Sequence, residues 1–358
     1  MKNLAVLFAI LSGLVLFAGI LGPTSAKGQN LASPTRADMV RNTLFRNYLP
    51  VVIQAQLASL PPSHPTATPV PQQTNTPTAG GDPVIVAAGD IACDPATSAF
   101  NGGKGTSYAC RELYTSDVAM QQSPAAALVL GDTQYEVGAL AAFQQSYDPS
   151  WGRLKSITHP AVGNHEYLTA NASGYYGYFG AAAGAPNKGY YSFDLGAWHL
   201  IALNSQCSSI GGCGPGSPQD TWLRADLAAH PNKCTLAYWH IPLWSSGGRA
   251  SPNMAVVTQD LYAAHADVVL TGHDHIYERF APQDAKGNAD PVNGIRAFVV
   301  GTGGADHTTV ATIAKNSEVR NVDTFGVLKL TLHSSSYDWQ FVPEPGGTFT
   351  DSGSQACH

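Results

Sequence analysis

Five short apolar runs in this sequence each end in a glycine followed by a polar residue, and several of those polar residues can hold metal ions. Asp90 follows the run 84–88, Asp132 the run 127–130, Asn164 the run 160–162 and His273-Asp274-His275 the run 268–271. Gly301 closes the run 297–300, and His240 ends the segment Ala237-Tyr238-Trp239-His240. Carboxylates, imidazoles and one amide oxygen converging on a cleft suit divalent or trivalent first-row metals. Two such ions about 3.5–4 Å apart can clamp a phosphoryl group, lower the pKa of a bridging water and stabilise a leaving oxygen. One carboxylate must then bridge the ions, and glycines before the ligands let backbone come close. Singly, each piece has an ordinary explanation: Gly-Asp after a strand is a turn or a helix cap, and a lone His on a strand is a hydrogen-bonded core residue. Their joint occurrence at successive strand ends is what points to a site.

Those residues need an open α/β sheet to carry them, because ligands bind beyond the carboxyl ends of its strands. The bounded apolar runs read as buried strands. Helical patterns lie between them at 111–123, 136–147, 218–230 and 255–265. The third has a start signal in Ser217 as N-cap, Pro218 at the first position and Asp220 three residues after the cap. Later runs at 190–194, 198–204, 325–333 and 337–342 predict strands of a second, more antiparallel sheet. The pattern is that of one α/β domain with layered sheets and outer helices.

Composition narrows the setting. The 358 residues carry 12% charged side chains and a net charge of −6, against a nucleic-acid partner other than as substrate, since phosphate-backbone binding needs a basic surface. A hydrophobic content of 44% excludes a wholly disordered chain. Residues 1–26 read as a signal peptide: Lys2, the uncharged run 4–21, then Gly22-Pro23-Thr24-Ser25-Ala26, with cleavage expected after Ala26. The run is long enough to span a bilayer, so the alternative is an uncleaved anchor facing outside, the one way a membrane would be a partner. Residues 27–82 are a Pro/Thr-rich linker holding an apolar island at 44–53, and 83–358 form the catalytic domain. Six cysteines fit an oxidising compartment. Of 15 possible pairings, we expect Cys93–Cys110, Cys207–Cys213 and Cys234–Cys357. No C-x-x-C occurs to suggest a zinc site.

The set Gly89-Asp90, Gly131-Asp132-Thr133-Gln134-Tyr135, Gly163-Asn164-His165-Glu166, Ala237-Tyr238-Trp239-His240 and Gly272-His273-Asp274-His275 resembles the calcineurin-like metallophosphoesterases, and within them the purple acid phosphatase branch. The resemblance covers roughly 84–342. Other branches carry Asp-x-His in the first motif, where this sequence has Asp90-Ile91-Ala92; the purple acid phosphatases instead place a Tyr three residues after the second-motif Asp, as Tyr135 does. The resemblance implies a layered α/β/β/α sandwich of two mixed sheets flanked by helices. It implies that Asp90, Asp132, Tyr135 and His275 hold one metal, Fe(III) being favoured by the phenolate. Asp132 would bridge to a divalent Fe, Zn or Mn also held by Asn164, His240 and His273. His165 would contact the phosphate and protonate the leaving group, with a metal-bound hydroxide as nucleophile.

The sequence departs from the family at Glu166, where Asp is also common, and at Ala237, where Val is usual. Ile241-Pro242-Leu243-Trp244-Ser245-Ser246 replaces the further histidines that touch substrate in some relatives, and the β-sandwich domain of larger relatives is absent. The expected function is a secreted hydrolase of small phosphate monoesters. The alternatives are a phosphodiesterase or nucleotide hydrolase, with loops 205–217 and 244–254 setting the room around the second ester oxygen, and a non-catalytic surface protein retaining the fold. Oligomeric state is left open. Asp284, Asn288 and Asp290 read as a solvated loop rather than a calcium loop, and Tyr175, Tyr176, Tyr178 and Phe179 as core. Arg279 is open between a phosphate contact and a pair with Glu278 or Asp94.

Overall fold

The computed structural model describes residues 81–358 apart from 232, 233 and 311. The expected signal peptide, the apolar island and nearly all of the linker lie outside the described residues. In chain order the strands are β1 (Val84–Ala88), β2 (Ala126–Leu130), β3 (Thr158–Ala161), β4 (Tyr191–Leu195), β5 (Trp198–Ala202), β6 (Cys234–Tyr238) and β7 (Val268–Thr271). They continue as β8 (Tyr277–Phe280), β9 (Arg296–Val300), β10 (Ser317–Asn321), β11 (Gly326–Leu332), β12 (Ser336–Pro343) and β13 (Ser352–Ala356). Helices α1 (Glu112–Gln121), α2 (Ser173–Phe179), α3 (Pro218–Ala229) and α4 (Ala255–Ala263) flank them.

Two mixed sheets result, in the orders β13-β12-β11-β1-β2-β3 and β10-β8-β9-β7-β6-β5-β4. Within the first, β1, β2 and β3 run parallel; within the second, β5, β6, β7 and β9 do. β2 (AALVL), β6 (CTLAY) and β7 (VVLT) are buried at every position, as continuous apolar runs in a sheet covered on both faces require. Side chains of both sheets, among them Val86, Leu128, Leu200, Leu236 and Leu330, share one core cluster. The layered sheets with outer helices follow the sequence pattern, and the α/β/β/α order is the one the resemblance implied, but the late strands are grouped differently from expectation. The pair at 190–204 forms β4 and β5 beside β6, whereas the hairpin β11–β12 joins the other sheet, antiparallel to β1. Apolar alternation reports burial, not which neighbour a strand meets.

The helices begin and end for local reasons. Ser217 caps α3 by accepting from the Asp220 N–H at 3.3 Å, with Pro218 in its first turn. The segment 136–147 is not one helix: a short turn over Leu140–Ala142 runs into a wider π-type turn over Phe143–Tyr147. The aromatic group after the third motif is core, with Tyr175, Tyr178 and Phe179 stacked around Phe143 and Tyr147. Arg279 pairs with Asp351 and Glu318, not with Glu278 or Asp94. Asp284 accepts from the Asn288 backbone and side chain, closing its loop on itself.

All three expected disulfides are present, Cys93–Cys110, Cys207–Cys213 and Cys234–Cys357. The last joins the first residue of β6, the strand leading to His240, to the residue after β13, 123 positions on. Beside it the buried Asp267 carboxylate accepts from the Thr235 and His358 N–H groups. Cross-linking so long a loop restricts the unfolded chain by about 4–5 kcal/mol. Replacing both Cys234 and Cys357 by Ser should therefore lower the melting temperature by about 10 °C or more, as calorimetry would read; an unchanged melting temperature would contradict this.

Candidate metal centre

The carboxyl ends of β1, β2 and β3 in one sheet and of β6 and β7 in the other face each other, and the candidate ligands sit on the loops between. The sheets are stitched together at that point: Gly89 N–H donates to Val300 O (2.9 Å), Gly303 N–H to Gly89 O (2.9 Å) and Ala305 N–H to Asp90 O (3.0 Å). Asp90, Asp132 and His273 hold positive φ of 60°, 44° and 71°. Side chains other than glycine rarely adopt that conformation, and residues held in it concentrate at functional sites. The flanking glycines have a steric reason as well. A Cβ on Gly163 would collide with the Asp132 carboxylate, and one on Gly272 would lie 2.6 Å from Asp90 Oδ2.

The seven candidate ligands come together as two overlapping groups. In one, Tyr135 Oη lies 3.0 Å from Asp90 Oδ1, 3.1 Å from His275 Nε2 and 3.4 Å from Asp132 Oδ2. In the other, His240 Nε2 lies 3.0 Å from Asp132 Oδ2, 3.1 Å from Asn164 Oδ1 and 3.2 Å from His273 Nδ1. Asp132 Oδ2 belongs to both. His240 Nδ1 is 2.9 Å from the Leu130 carbonyl, which accepts its N–H and turns Nε2 into the cleft. A proton on Nε2 satisfies one of the surrounding acceptors at a time, whereas a cation satisfies them all. The donors therefore fit two metal ions. His165 stands apart, its Nε2 3.9 Å from Asp132 Oδ2, its Nδ1 2.6 Å from the Glu136 carbonyl and its ring over Tyr135.

Electrostatics set the condition for loading. Burial works against a charge on His240, but Asp132 and Asp90 lift it to about 9; burial likewise opposes a charge on His275, which Asp90 and Asp306 lift to about 10. Partial burial, with His240 beside it, pushes the half-buried His273 down to about 4. Burial and the Asp90 and Asp132 carboxylates push the Tyr135 phenol well above its ordinary value. Burial also works against the charge of Asp132, yet His240 and His165 hold this carboxyl well below the usual carboxylate range. A metal must displace the protons on His240, His275 and Tyr135, but none from Asp132.

Two supporting residues carry no signature that sequence reasoning recognised. Glu166, fully buried, accepts from Thr133 N–H and Oγ1 (2.7 Å each), Gln134 N–H (3.2 Å), Asp132 N–H (3.1 Å) and Gly163 N–H (2.7 Å). It thereby holds the loop bearing Asp132 and Tyr135 against the loop bearing Asn164. Asp306 binds the Nδ1 of His275; it follows the Gly301 turn after β9, a strand end that marked the place without marking the residue.

Two outcomes follow. Metal uptake by the metal-free protein should release protons, and its affinity should rise with pH through 9 and on past about 10, because His240, His275 and Tyr135 must give up protons that the folded protein holds tightly. Calorimetric titration in buffers of different ionisation enthalpy measures this; uptake without proton release would contradict it. Glu166→Gln turns one acceptor into a donor facing backbone N–H groups, so it should destabilise the fold by about 2–3 kcal/mol and weaken metal retention. Melting curves and metal content read both effects.

A sequence model of the calcineurin-like phosphoesterase family matches residues 83–277. Purple acid phosphatase 18 of Arabidopsis thaliana is 31% identical over 129 residues, 34% of this chain and 28% of that protein. Purple acid phosphatase 21 of the same plant is 35% identical over 122 residues, 32% of this chain and 26% of its own length. The matched segments thus span under a third of these relatives. The purple acid phosphatase PPD1 from yellow lupin (Lupinus luteus) seeds has the same fold, with a TM-score of 0.61 at 21% identity over 76% of this chain and 53% of the lupin chain. With the family match covering more than half of its residues, this chain belongs to the calcineurin-like phosphoesterase family.

Proposed function

We propose that the protein hydrolyses small phosphoric monoesters at a dinuclear metal centre, in an exported domain. The observation that carries the reading is the sharing of Asp132 Oδ2 by two groups of donor atoms. Asp90, Asp132, Tyr135 and His275 would hold one ion, the phenol favouring Fe(III); Asp132, Asn164, His240 and His273 would hold a divalent Fe, Zn or Mn. When bound, the pair supplies positive charge for phosphoryl oxygens and acidifies water for the attack on phosphorus.

The protein's own residues do the remainder. Asp306 and Leu130 O fix the rings of His275 and His240, so that each turns Nε2 toward the carboxylates. His165 is anchored through Nδ1 by the Glu136 carbonyl, which leaves Nε2 on the cleft side to meet a phosphoryl oxygen and, when protonated, to pass a proton to the leaving oxygen. The cleft, of about 570 Å³, is lined by Asp132, Tyr135, Asn164, His165, His273 and His275 among others, room for a small ester. Pairing of all six cysteines supports an oxidising compartment. Among the described residues no helix is long and apolar enough to cross a membrane.

The test compares p-nitrophenyl phosphate with bis-p-nitrophenyl phosphate on metal-loaded protein from pH 4 to 9. The monoester should turn over faster, Asn164→Ala should abolish turnover, and His165→Ala should lower kcat by about 10²- to 10³-fold with metal content intact. Faster diester turnover would reassign the protein as a phosphodiesterase. Full metal loading with no turnover of either ester would favour a non-catalytic surface role.

A further inference from the structure

We infer that Arg249 is the anion-recognising and specificity-determining residue of this site, gripping the unesterified oxygens of a terminal phosphate group and so selecting monoesters over diesters. The inference rests on the phosphoester reading and deepens it.

Arg249 lines the same cleft as Asp132, Asn164, His165, His273 and His275. It is the one Lys or Arg there, in a lining whose acidic members are Asp132, Glu136 and Asp306. Elsewhere, Arg111, Arg153, Arg224, Arg279 and Arg296 each reach a carboxylate. Among the described residues no carboxylate lies within ion-pair distance of Arg249, and its only side-chain hydrogen bond is a long one, 3.4 Å from Nη1 to the His273 carbonyl. Most of its N–H donors are unspent, and it is exposed to the cleft.

The loop that carries it is held in place rather than draped over the surface. The Arg249 N–H donates to Asp274 Oδ2 at 3.4 Å, between the two candidate histidine ligands of that segment. Gly247 packs so closely on Asp274 that a Cβ there would overlap its side chain, and Gly248 has a φ of +89°. Two glycines in succession thus press the loop against the base of the His273–His275 segment and bring a guanidinium to the cleft. This is the 244–254 loop, in which no histidine follows His240.

A guanidinium presents a planar fork of donors that matches two oxygens of one phosphate group. A monoester offers three unesterified oxygens and up to two negative charges; a diester offers two oxygens and one charge. A lone fixed cation beside a metal centre therefore gains more from the monoester.

The test uses metal-loaded protein with inorganic phosphate as the probe. Arg249→Ala should keep its metal content and melting temperature yet bind phosphate about 10- to 100-fold more weakly, the range for loss of a charge-assisted hydrogen bond. Arg249→Lys, which keeps the charge without the fork, should fall between. The kcat/KM ratio of p-nitrophenyl phosphate to bis-p-nitrophenyl phosphate should drop in the Ala variant by a comparable factor. Equal phosphate affinity in the parent and Arg249→Ala, or loss of metal from the variant, overturns the role of Arg249 alone. A metal-loaded parent that binds no phosphate overturns the phosphoester reading with it.

Discussion

Three carboxylates, Asp90, Asp132 and Glu166, are buried almost completely at one point of this fold, and neutralising them is the constraint on which the surrounding structure depends. An unpaired buried carboxylate is strongly disfavoured. Glu166 is answered by four backbone N–H groups and one hydroxyl, so it acts as a fixed internal anchor. Asp90 and Asp132 are answered instead by ionisable or polar side chains, His275, Tyr135 and His240, together with the N–H groups of His273 and His165. Partners of that kind can exchange a proton for a metal ion. The difference between the two sorts of compensation separates the scaffold carboxylate from the candidate ligands more sharply than burial does.

The same constraint explains why the sheets meet where they do. Asp90, Asp132 and Asn164 come from three adjacent parallel strands of one sheet, and His240, His273 and His275 from two adjacent parallel strands of the other. Acids on one side and imidazoles on the other attract across the junction, and His240 Nδ1 reaching Leu130 O bonds the second sheet directly to the first. Backbone strain at Asp90, Asp132 and His273 is tolerated because their N–H groups are all engaged, with Gly131 O, Glu166 Oε2 and Asp90 Oδ2 respectively. A site assembled from five loops is rigid only if each loop is pinned. Here Glu166 pins two of them.

What could be read from the sequence was local. The strand ends carrying Asp90, Asp132, Asn164, His240 and His273–His275 were legible because an apolar run, a glycine and a polar residue lie side by side in the chain, as was the capped start of α3. The destination of the β11–β12 hairpin was not, since pairing with β1 is a contact between segments some 240 residues apart that leaves no trace in the periodicity of either. Asp306 and Glu166 escaped for the same reason. One looks like a loop acid and the other like a conservative variant, until the fold sets each against the group it supports. Helix α2, with four glycine-flanked aromatics and no N-cap side chain, has little helix signal of its own and is held by packing against the Phe143–Tyr147 turn.

The electrostatic sign of the cleft depends on what it holds. Without cations its lining is dominated by Asp132, Glu136 and Asp306, with Arg249 the single fixed positive group, and a phosphate dianion approaching it meets repulsion from carboxylates in a region of reduced dielectric. Two cations bound to the seven candidate donors would reverse that balance. On the proposed reading, phosphate affinity and metal loading would therefore be thermodynamically coupled, each raising the affinity for the other, because linkage between two ligands on one protein is reciprocal. A protein with a chain-wide net charge of −6 has no general attraction for phosphoesters to fall back on, so recognition on the proposed reading would be confined to the place where the metals and one unpaired guanidinium outweigh the acids around them.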